Sequence, residues 1–510
     1  MRVGVEGCCH GELNAIYRAL EDVSQRDGVP VDLLLMCGDF QSARFESDMQ
    51  WQTMPPKYRK MMDFHEYYSG AKTAPCLTIF VGGNHEAPNV LSELYFGGWV
   101  APNIFFLGSS GVVRVGDLRI GGYSGIYKPY DYNKGYFEKI PYDDSTRRTA
   151  CHTREFEIKK LGEVREPVDV MLSHDWPNGV VDYGDRQGLI QKKPFFKDDL
   201  DRNQLGNTPA MLLLRQMKPR FWFSAHLHVK FASIIPHHQP PNGNNPNQRH
   251  QATRFLALDK VHERRPGAFL QILDIDMPSD TCPAGHWLIH NDGSDGSALV
   301  DAQGDSAAAA AAGADAAGAA QEASSAQQES SGPSEPLCIR YDAEWLSILR
   351  ANHPNIPYGP HNRPHNTCAP TDDDRVHVQE RLQQDAQDGR WPHWTSPDGD
   401  YRDLPGQRRA FLRLLSLEDT WDARDQHAPP PRPQAPPRQP PAPPLFARPP
   451  PPPPPPPAPR PAAGGADEEI DIDMDLGLDE EAEGAADGEA LEHREKRAKT
   501  DADAGADGGD

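Results

Sequence analysis

The stretch Gly7-Cys8-Cys9-His10-Gly11 places a thiol and an imidazole directly after a short apolar run, residues 2–6. Apolar runs of this length are typical of buried strands. The same arrangement recurs after later apolar runs in four segments: Gly38-Asp39, Gly83-Asn84-His85-Glu86, Ser173-His174-Asp175 and Ala225-His226-Leu227-His228. Because functional residues collect on the loops at strand ends in α/β proteins, the five segments predict one shared site.

These segments have the composition of a metal centre. Leaving aside Cys9, Glu86 and Asp175, they offer one thiol, one carboxylate, one carboxamide oxygen and five imidazoles, which borderline divalent metals such as zinc, iron and manganese accept. Seven candidate ligands exceed the needs of one tetrahedral ion and suit two. Two ions roughly 3.5–4 Å apart clamp the attacking and leaving oxygens of a phosphoester and acidify a shared water.

Asp39 is the natural bridge between two ions, since one carboxylate presents an oxygen to each. In a strand, Cys8 and His10 point the same way, as do His226 and His228, so each pair is expected to hold one side of the centre. Taken singly, each segment has an ordinary interpretation as a structural histidine, a buried cysteine or a turn. Five such segments at strand ends favour the metal centre.

Strand and helix patterns alternate over residues 1–235 and indicate an α/β (α+β layered) architecture. Strands are predicted at residues 2–6, 31–36, 76–81, 168–172 and 221–224, helices at 13–25, 56–68 and 209–216, and a hairpin at 112–122. Further strands are expected at 253–258 and 269–275, and apolar helical faces near 337–352 and 411–415.

Composition separates an ordered body from biased segments. Residues 293–334 read as a low-complexity insertion, and residues 421–510 as a disordered tail with a proline tract and an acidic end. The net charge of −23 argues against a nucleic-acid partner, but residues 467–510 alone hold 18 Asp and Glu against 4 Lys and Arg. The rest is mildly acidic, and a local basic patch there remains compatible with RNA.

The sequence also predicts the cellular location of the protein and the partners of its tail. Eight cysteines show no regular disulfide framework, and no signal core or membrane span is evident, so we expect an intracellular, reduced protein without a membrane partner. Residues 494–499 form a weak nuclear localisation signal, which predicts a nuclear protein that shuttles to the cytoplasm. The proline tract is expected to act as a spacer or as a ligand for an SH3- or WW-type or splicing-related protein.

The order of the five segments resembles the calcineurin-like metallophosphoesterases, whose pattern is D-x-H, GD, GNH[D/E], H and GHxH. The resemblance covers roughly residues 1–235 and implies a β-sandwich flanked by helices, with a dinuclear site at the loop ends. Ala225 replaces the glycine of the last motif. Cys8 stands where most of that family has aspartate.

The sequence resembles the lariat debranching enzymes in having a cysteine at that position, within the segment Glu6-Gly7-Cys8-Cys9-His10-Gly11. Similar segments follow at residues 121–127, 173–177, 225–231, 253–260 and 345–349. This resemblance extends to about residue 420 and implies a catalytic domain over 1–235 and a smaller C-terminal debranching-enzyme domain over 236–420. It implies hydrolysis of the 2′–5′ phosphodiester at the branch point of excised intron lariat RNA, with no DNA partner expected.

The resemblance also assigns roles. Cys8, His10, Asp39 and His228 would form one metal pocket, and Asp39, Asn84, His174 and His226 the other. His85 would contact the scissile phosphate or protonate the leaving oxygen. A thiolate at Cys8 favours Zn²⁺ or Fe²⁺ over Mg²⁺, with Mn²⁺ also admissible.

Residues 123–165 occupy the position of the family's lariat recognition loop. Aromatic and cationic side chains alternate there, suited to stacking on unpaired bases and to meeting phosphates. The predicted RNA contacts are Tyr127, Lys128, Tyr130, Tyr132, Lys134, Tyr136, Arg147 and Arg148. The alternative is a long surface loop whose tyrosines pack back onto the body.

Two other functions stay open on the residues alone. One is a general metallophosphoesterase, acting as a protein phosphatase or a nuclease. The other is a catalytically silent scaffold that binds RNA or splicing factors. Cys8 and the tyrosine-rich loop count against the first, and the complete ligand set counts against the second.

Overall fold

The predicted apolar runs form two β-sheets in the computed structural model, which describes residues 1–237, 250–262, 264–276, 288–289, 337, 339–361, 366–387 and 401–421. The predicted insertion 293–334, the tail from residue 422 and the basic run 494–499 lie outside the described residues. Within the described residues, no helix combines the length and the apolar composition needed to cross a bilayer.

The strands are short, and most of them are fully buried. In chain order they are β1 Arg2–Glu6, β2 Leu33–Met36, β3 Leu77–Phe80, β4 Gly98–Ala101, β5 Ile104–Phe106, β6 Ser110–Val115, β7 Leu118–Tyr123, β8 Val170–Ser173, β9 Phe221–Ser224, β10 Phe231–Pro236, β11 Ala252–Ala257, β12 Leu270–Asp274, β13 Leu288–Ile289 and β14 Ile339–Tyr341.

Two mixed sheets result. The first has six strands in the order β12-β1-β2-β3-β5-β4, with β1, β2, β3 and β5 parallel. The second has eight strands in the order β10-β11-β9-β8-β7-β6-β14-β13, with β7, β8, β9 and β11 parallel. Parallel strands end at the same edge, which gathers the loops that follow β1, β2, β3, β8 and β9.

Side-chain alternation along β2 shows how the sheets pack. Leu33 and Leu35 belong to a core cluster that also contains strand residues of the second sheet, such as Val170 and Leu172. Leu34 and Met36 point the other way, into a cluster on the opposite face of the first sheet. The predicted β-sandwich flanked by helices is therefore confirmed, because the two sheets share one core cluster and the opposite face of the first sheet is also buried.

Helices cover the outer faces of the sheets. They are α1 Leu13–Asp27, α2 Glu46–Met49, α3 Phe64–Tyr68, α4 Pro88–Leu91, α5 Pro129–Tyr132, α6 Asp144–Thr149, α7 Glu155–Gly162, α8 Arg186–Lys192, α9 Phe196–Asp201, α10 Thr208–Met217, α11 Pro266–Phe269, α12 Ala343–Asn352, α13 Asp372–Gln387 and α14 Leu404–Leu414.

The helix predicted over residues 56–68 is wrong. The chain forms a 3₁₀ turn at Pro56–Tyr58 and resumes as α3 only at Phe64. Met62 between them has a φ of 49°, which an α-helix does not accommodate, and the Asp63 N–H donates to the carbonyl of Gly11. The break thus holds this segment against the first metal-site loop.

Segments late in the chain complete both sheets. β12 pairs antiparallel with β1, and β14 pairs antiparallel with β6. The predicted domain division at residue 235 falls inside β10, whose partner β11 lies beyond it. Strands from either side of that division therefore share both sheets.

A buried ion network anchors the start of α12. The Arg119 guanidinium on β7 donates to both carboxylate oxygens of Asp342, at 2.7 and 2.6 Å, and to Glu344 at 2.8 Å. Arg119 is 1% exposed, so the network is shielded from water, and a bidentate pair of this kind has a defined geometry.

The edge strand β4 is capped by a side chain from α14. The Gln407 amide accepts from the Trp99 N–H at 2.9 Å and donates to the Trp99 carbonyl at 2.8 Å. It supplies the hydrogen bonds that a neighbouring strand would make, which protects the edge from other chains. Trp421, the first residue of the predicted tail, is buried and stacks on Tyr95 at 4.5 Å between ring centroids.

Candidate metal centre

Five strand ends deliver the predicted ligands to one place. Cys8 and His10 follow β1, Asp39 follows β2, Asn84 follows β3, and His174 and His226 follow β8 and β9. β1, β2 and β3 are neighbours in the first sheet, β8 and β9 are neighbours in the second, and the two sheets meet at the site. The predicted location at loop ends is observed.

Four of the ligands form one tight group. Ligand atoms of Cys8, His10, Asp39 and His228 all lie within 4.8 Å of one another. The Nε2 atoms of His10 and His228 are 3.0 Å apart, and the His10 Nε2 is 3.8 Å from Asp39 Oδ2. A thiol, a carboxylate and two imidazoles converge as the ligands of a tetrahedral metal site do.

The remaining ligands lie on the other side of Asp39. His174 Nε2 is 3.3 Å from Asp39 Oδ1 and 3.1 Å from Asn84 Oδ1. The His226 ring centroid lies 5.0 Å from that of His174. Asp39 thus presents Oδ1 to this second group and Oδ2 to the first, which is the arrangement a bridging carboxylate requires.

The structure supplies an observation that tests whether metals fit here. Asp39 is 1% exposed, yet its Oδ2 accepts no hydrogen bond from the described residues. A buried carboxylate oxygen without a partner is costly unless a cation meets it. The calcineurin-like fold implies divalent metal ions, and the donor set around Asp39 fits them.

Backbone conformation, rather than strand geometry, orients the ligands. His10, Asp39, His226 and His228 have φ of 45°, 52°, 66° and 46°, in the left-handed region. The prediction that Cys8 and His10, or His226 and His228, align as alternate residues of a strand is therefore wrong, because both segments are turns. Such conformations cost free energy and concentrate at functional sites.

Two glycines allow the loops to approach this closely. A Cβ on Gly83 would lie 2.2 Å from Asp39 Oδ1, and one on Gly38 would lie 2.5 Å from His174 Nδ1. Neither position accommodates a side chain while the ligands stay in place.

His174 is held in the tautomer that a ligand needs. Its Nδ1 is 2.7 Å from the carbonyl oxygen of Cys37, which accepts a hydrogen bond and so places the proton on Nδ1. The lone pair on Nε2 then faces Asp39 and Asn84. This is the usual way in which an outer contact orients a metal-binding histidine.

Three of the histidines are neutral at physiological pH. Burial, with His85 and Lys260 adding to it, lowers the pKa of His10 to about 4. Burial and His10 lower the pKa of His228 to about 2, and burial and His174 lower that of His226 to about 3. Neutral imidazole is the metal-binding form.

Protons compete with a metal at two of the ligands. Burial, followed by Asp39 and Glu6, raises the pKa of the Cys8 thiol well above its ordinary value. Burial works against a charged His174, but Asp39 outweighs it and raises the pKa of that imidazole. Cys8 is therefore a thiol before metal binds, and protons compete with metal at His174 more strongly than at an ordinary histidine.

We expect metal uptake to release protons and apparent affinity to rise with pH. A thiolate and a neutral imidazole are the ligating forms, so affinity falls as pH drops through the raised pKa of His174, and Cys8 gives up about one proton at pH 7. Titration calorimetry with Zn²⁺ in two buffers of different ionisation enthalpy measures the release. Heats that do not depend on the buffer would contradict this, and Cys8→Ala should lower the proton count.

Glu86 is a functional residue that the sequence reasoning set aside. Its carboxylate accepts from the backbone N–H groups of Phe40 and Gln41 at 2.8 Å and of Gly83 at 2.9 Å. It therefore joins the loop of Asp39 to the loop of Asn84. Burial and Asp39 raise its pKa to about 7. In the sequence, the role of Glu86 is indicated by its place after His85, at the acidic position of the GNH[D/E] motif.

Replacing Glu86 with glutamine should loosen both loops. The amide keeps one acceptor oxygen and turns an NH₂ toward a backbone N–H, so we expect a loss of about 1–3 kcal/mol in the free energy of unfolding and weaker metal binding. Urea unfolding and Zn²⁺ titration measure the two effects. The control is Glu46→Gln at an exposed position, and equal behaviour of the two variants would refute the role of Glu86.

His85 lies beside the ligands without joining either group. Its ring centroid is 5.6 Å from that of His10, and its backbone N–H donates to Asp39 Oδ1 at 2.7 Å. This places an imidazole at the edge of the centre. The role of His85 next to a scissile bond stays a prediction.

The loop over residues 123–165 is folded against the body. The Tyr127 N–H donates to Asp175 at 3.1 Å, which ties the loop to the fourth segment, and Tyr130 is 41% exposed. The rings of Tyr127 and Tyr132 meet edge to face, with centroids 5.3 Å apart. Tyr136 instead turns its hydroxyl inward to Glu157 at 2.7 Å.

Carboxylates of the loop engage several of its cations. Lys134 pairs with Asp131, and Arg147 pairs with Asp144 at 2.6 Å while donating to the carbonyl of Gln50. Lys128 and Arg148 form no ion pair within the described residues. Of the eight residues predicted to contact RNA, Tyr136, Lys134 and Arg147 therefore have polar partners within the protein.

Comparison with known proteins agrees with this geometry. A family model described as calcineurin-like phosphoesterase matches residues 1–230, and one described as lariat debranching enzyme, C-terminal domain, matches residues 250–391. Over 276 residues the chain is 52% identical to the human lariat debranching enzyme, covering 54% of this chain and 50% of that protein.

Two further relatives extend the match. The Arabidopsis thaliana lariat debranching enzyme is 50% identical over 292 residues, 56% of this chain and 67% of that protein. Lariat debranching enzyme A of Xenopus laevis is 43% identical over 351 residues, 69% of this chain and 54% of that protein. The chain thus spans about half the length of the vertebrate relatives it matches.

Proposed function

The chain belongs to the lariat debranching enzyme family, and from this premise we propose that it hydrolyses the 2′–5′ phosphodiester at the branch point of excised intron lariat RNA. The observation that carries the proposal is the convergence of Cys8, His10, Asp39 and His228 on one point. The thiol in this group is the feature that the sequence shares with debranching enzymes and not with most other calcineurin-like enzymes.

The chain's own residues divide the work. Divalent ions at this centre supply Lewis acidity and a water of lowered pKa. Asp39 holds the two ligand groups at a common carboxylate, and His174 keeps its lone pair aimed inward through Cys37. We assign His85 to protonate the 2′ oxygen as the bond between that oxygen and phosphorus breaks, which leaves the phosphate on the 5′ end of the linear product.

We assign Fe²⁺, Zn²⁺ or Mn²⁺ to the two sites. The thiol of Cys8 makes the first group softer than an all-oxygen site, which favours zinc or iron there over magnesium. The second group, built from Asp39, Asn84, His174 and His226, is harder and admits manganese as well.

Selectivity for a branched substrate is assigned to the loop. Tyr127, Tyr130 and Tyr132 offer ring surface for unpaired bases, and Lys128 and Arg148 offer charge for phosphates. Shape, rather than base sequence, then distinguishes a 2′–5′ branch from a linear 3′–5′ chain.

The decisive experiment compares two synthetic RNAs of the same sequence, one with a 2′–5′ branch and one linear. Each is incubated with purified protein and Mn²⁺, Fe²⁺ or Zn²⁺, with a chelator as control. Metal-dependent cleavage of the branch alone is expected. Cleavage of both RNAs would indicate a general nuclease, and cleavage of neither would favour a phosphatase or a scaffold.

Location and tail function are separate proposals. Intron lariats arise where introns are removed, so we place the protein in the nucleus, with shuttling to the cytoplasm. The proline tract and acidic end are assigned to spacing or to a splicing-related or SH3- or WW-type partner. Fluorescent full-length protein and a variant with residues 494–499 replaced by alanine test the location, since the variant should leave the nucleus.

A further inference from the structure

A group of cations lies beside the metal centre, outside the loop of residues 123–165. The group consists of Lys193, Lys260 and Arg265, which we call the basic surface. Lys260 directly follows Asp259, and the Asp259 N–H donates to the carbonyl of Ala268, whose own N–H donates to the carbonyl of Arg265. Burial raises the pKa of Asp259, and Lys193, Arg265 and Lys260 act against the rise. No ion pair joins any of the three to a carboxylate within the described residues.

Backbone contacts bring the basic surface to the first ligand group. Lys260 lies in a parallel bridge with Cys8. The Cys8 N–H donates to the carbonyl of Asp259 at 3.3 Å, and the Val261 N–H donates to the carbonyl of Cys8 at 3.4 Å. Lys260 is therefore in register with a ligand, and it is half-buried with access to solvent.

The basic surface and the loop approach different halves of the centre. Lys260 is in register with Cys8 of the first ligand group. The loop is tied through the Tyr127 N–H to Asp175, which follows His174 of the second group. A substrate held between the basic surface and the loop would cross both ligand groups.

The negative charge of a branched RNA requires a second cationic surface on the protein. A branch nucleotide joins three RNA segments, each with one negative charge per nucleotide, while the chain carries a net charge of −23. Of the four loop cations predicted to contact RNA, Lys134 and Arg147 are paired with carboxylates, which leaves Lys128 and Arg148. Two cations on the loop side of the metal centre are too few to bind the phosphates of three RNA arms.

We propose that the basic surface of Lys193, Lys260 and Arg265 binds the phosphates of one arm of the branched RNA, on the His10 and His228 side of the metal centre. This assignment rests on the proposed function and deepens it. One arm passes over the loop and another over the basic surface, so the branch is held with its 2′–5′ bond across the ligands.

The test uses full-length protein in which Lys193, Lys260 and Arg265 are all replaced with glutamine. The matched control replaces Arg26, Lys72 and Arg215 with glutamine, which removes the same charge near the end of α1, before β3 and near the end of α10. Binding of a branched RNA is measured in a His85→Ala background over a range of salt. Cleavage kinetics are measured with His85 intact.

The basic-surface variant is expected to bind about tenfold or more weakly near 150 mM salt. The slope of log affinity against log salt should fall by about two, since each phosphate of a single strand contributes roughly 0.7. KM rises while kcat stays within about twofold, because the ligands and His85 are untouched. The control should match unsubstituted protein.

A charge-preserving variant separates charge from folding. Lys193→Arg, Lys260→Arg and Arg265→Lys together should restore affinity. Unchanged affinity and salt slope in the glutamine variant would overturn the assignment of the basic surface to RNA. Cleavage of branched RNA by unsubstituted protein would uphold the proposed function in that case. Tighter RNA binding by that variant would overturn it too, and would assign the surface to the acidic segment 467–510. Unsubstituted protein that neither binds nor cuts branched RNA would remove the proposed function itself.

Discussion

Replacing Cys8 with alanine is expected to empty the metal position beside His10 and to lower turnover of branched RNA by about a thousandfold or more. Loss of an ion removes several kcal/mol of transition-state stabilisation, and about 1.4 kcal/mol corresponds to a factor of ten. The variant should still fold, because the thiol is a small part of the core between the sheets. Elemental analysis and single-turnover cleavage measure the two losses.

Cys9→Ala is the matched control for this prediction. Cys9 is the next residue and is as completely buried, but it packs in the cluster under α1 with Leu13 and Ile16. We expect full metal content, near-normal turnover and a stability loss of roughly 1 kcal/mol. A Cys8→Ala protein with normal metal content and turnover would refute the ligand assignment.

Cys8→Asp gives a graded version of the same experiment. The carboxylate restores the residue that most calcineurin-like enzymes have at this position. It should recover binding of Mn²⁺ relative to Cys8→Ala but lower the preference for Zn²⁺, since oxygen is a harder ligand than sulfur. Competition between the two metals is the measurement.

His85→Ala should give the second large effect, a decrease in kcat of about 10²–10⁴-fold at unchanged metal content. His85 belongs to neither ligand group, so the ions stay, and what is lost is proton delivery to the leaving 2′ oxygen. Metal analysis, combined with cleavage of a branched RNA under saturating conditions, separates this result from that of Cys8→Ala.

A histidine of the C-terminal segment provides the comparison. His377 lies on α13, and His377→Ala should leave kcat and metal content unchanged. Rescue of His85→Ala by added imidazole would support proton transfer. If His85→Ala loses its metal, His85 is a ligand and the assignment as proton donor fails.

Much of the site was accessible from the sequence because strand ends and ligand types are both local signals. Asp39 follows β2 and His174 follows β8 as predicted, and the residue clusters meet where parallel strands terminate. The reason given for pairing Cys8 with His10 was nevertheless wrong. Left-handed turns, not strand alternation, aim these side chains, and backbone torsions of single residues are not encoded in a hydrophobic pattern.

Contacts between residues far apart in the chain could not be predicted from the sequence. A count of cations in residues 123–165 does not reveal that Asp131 and Asp144 pair with Lys134 and Arg147. The clamp by Glu86 depends on backbone N–H groups from a loop more than forty residues away. The break before α3 depends in the same way on Gly11. Each is a tertiary contact that overrides a local pattern.

The order in which the strands are made has a consequence for synthesis of the chain. Among the described strands β1 is made before the others, yet Arg2 pairs with Asp274, and the Met1 nitrogen donates to the carbonyl of Ile275. β6 likewise pairs with the later strand β14, whose Tyr341 lies opposite Val113. The nascent polypeptide therefore keeps unpaired strand edges until these later strands are made, and such edges invite non-native pairing.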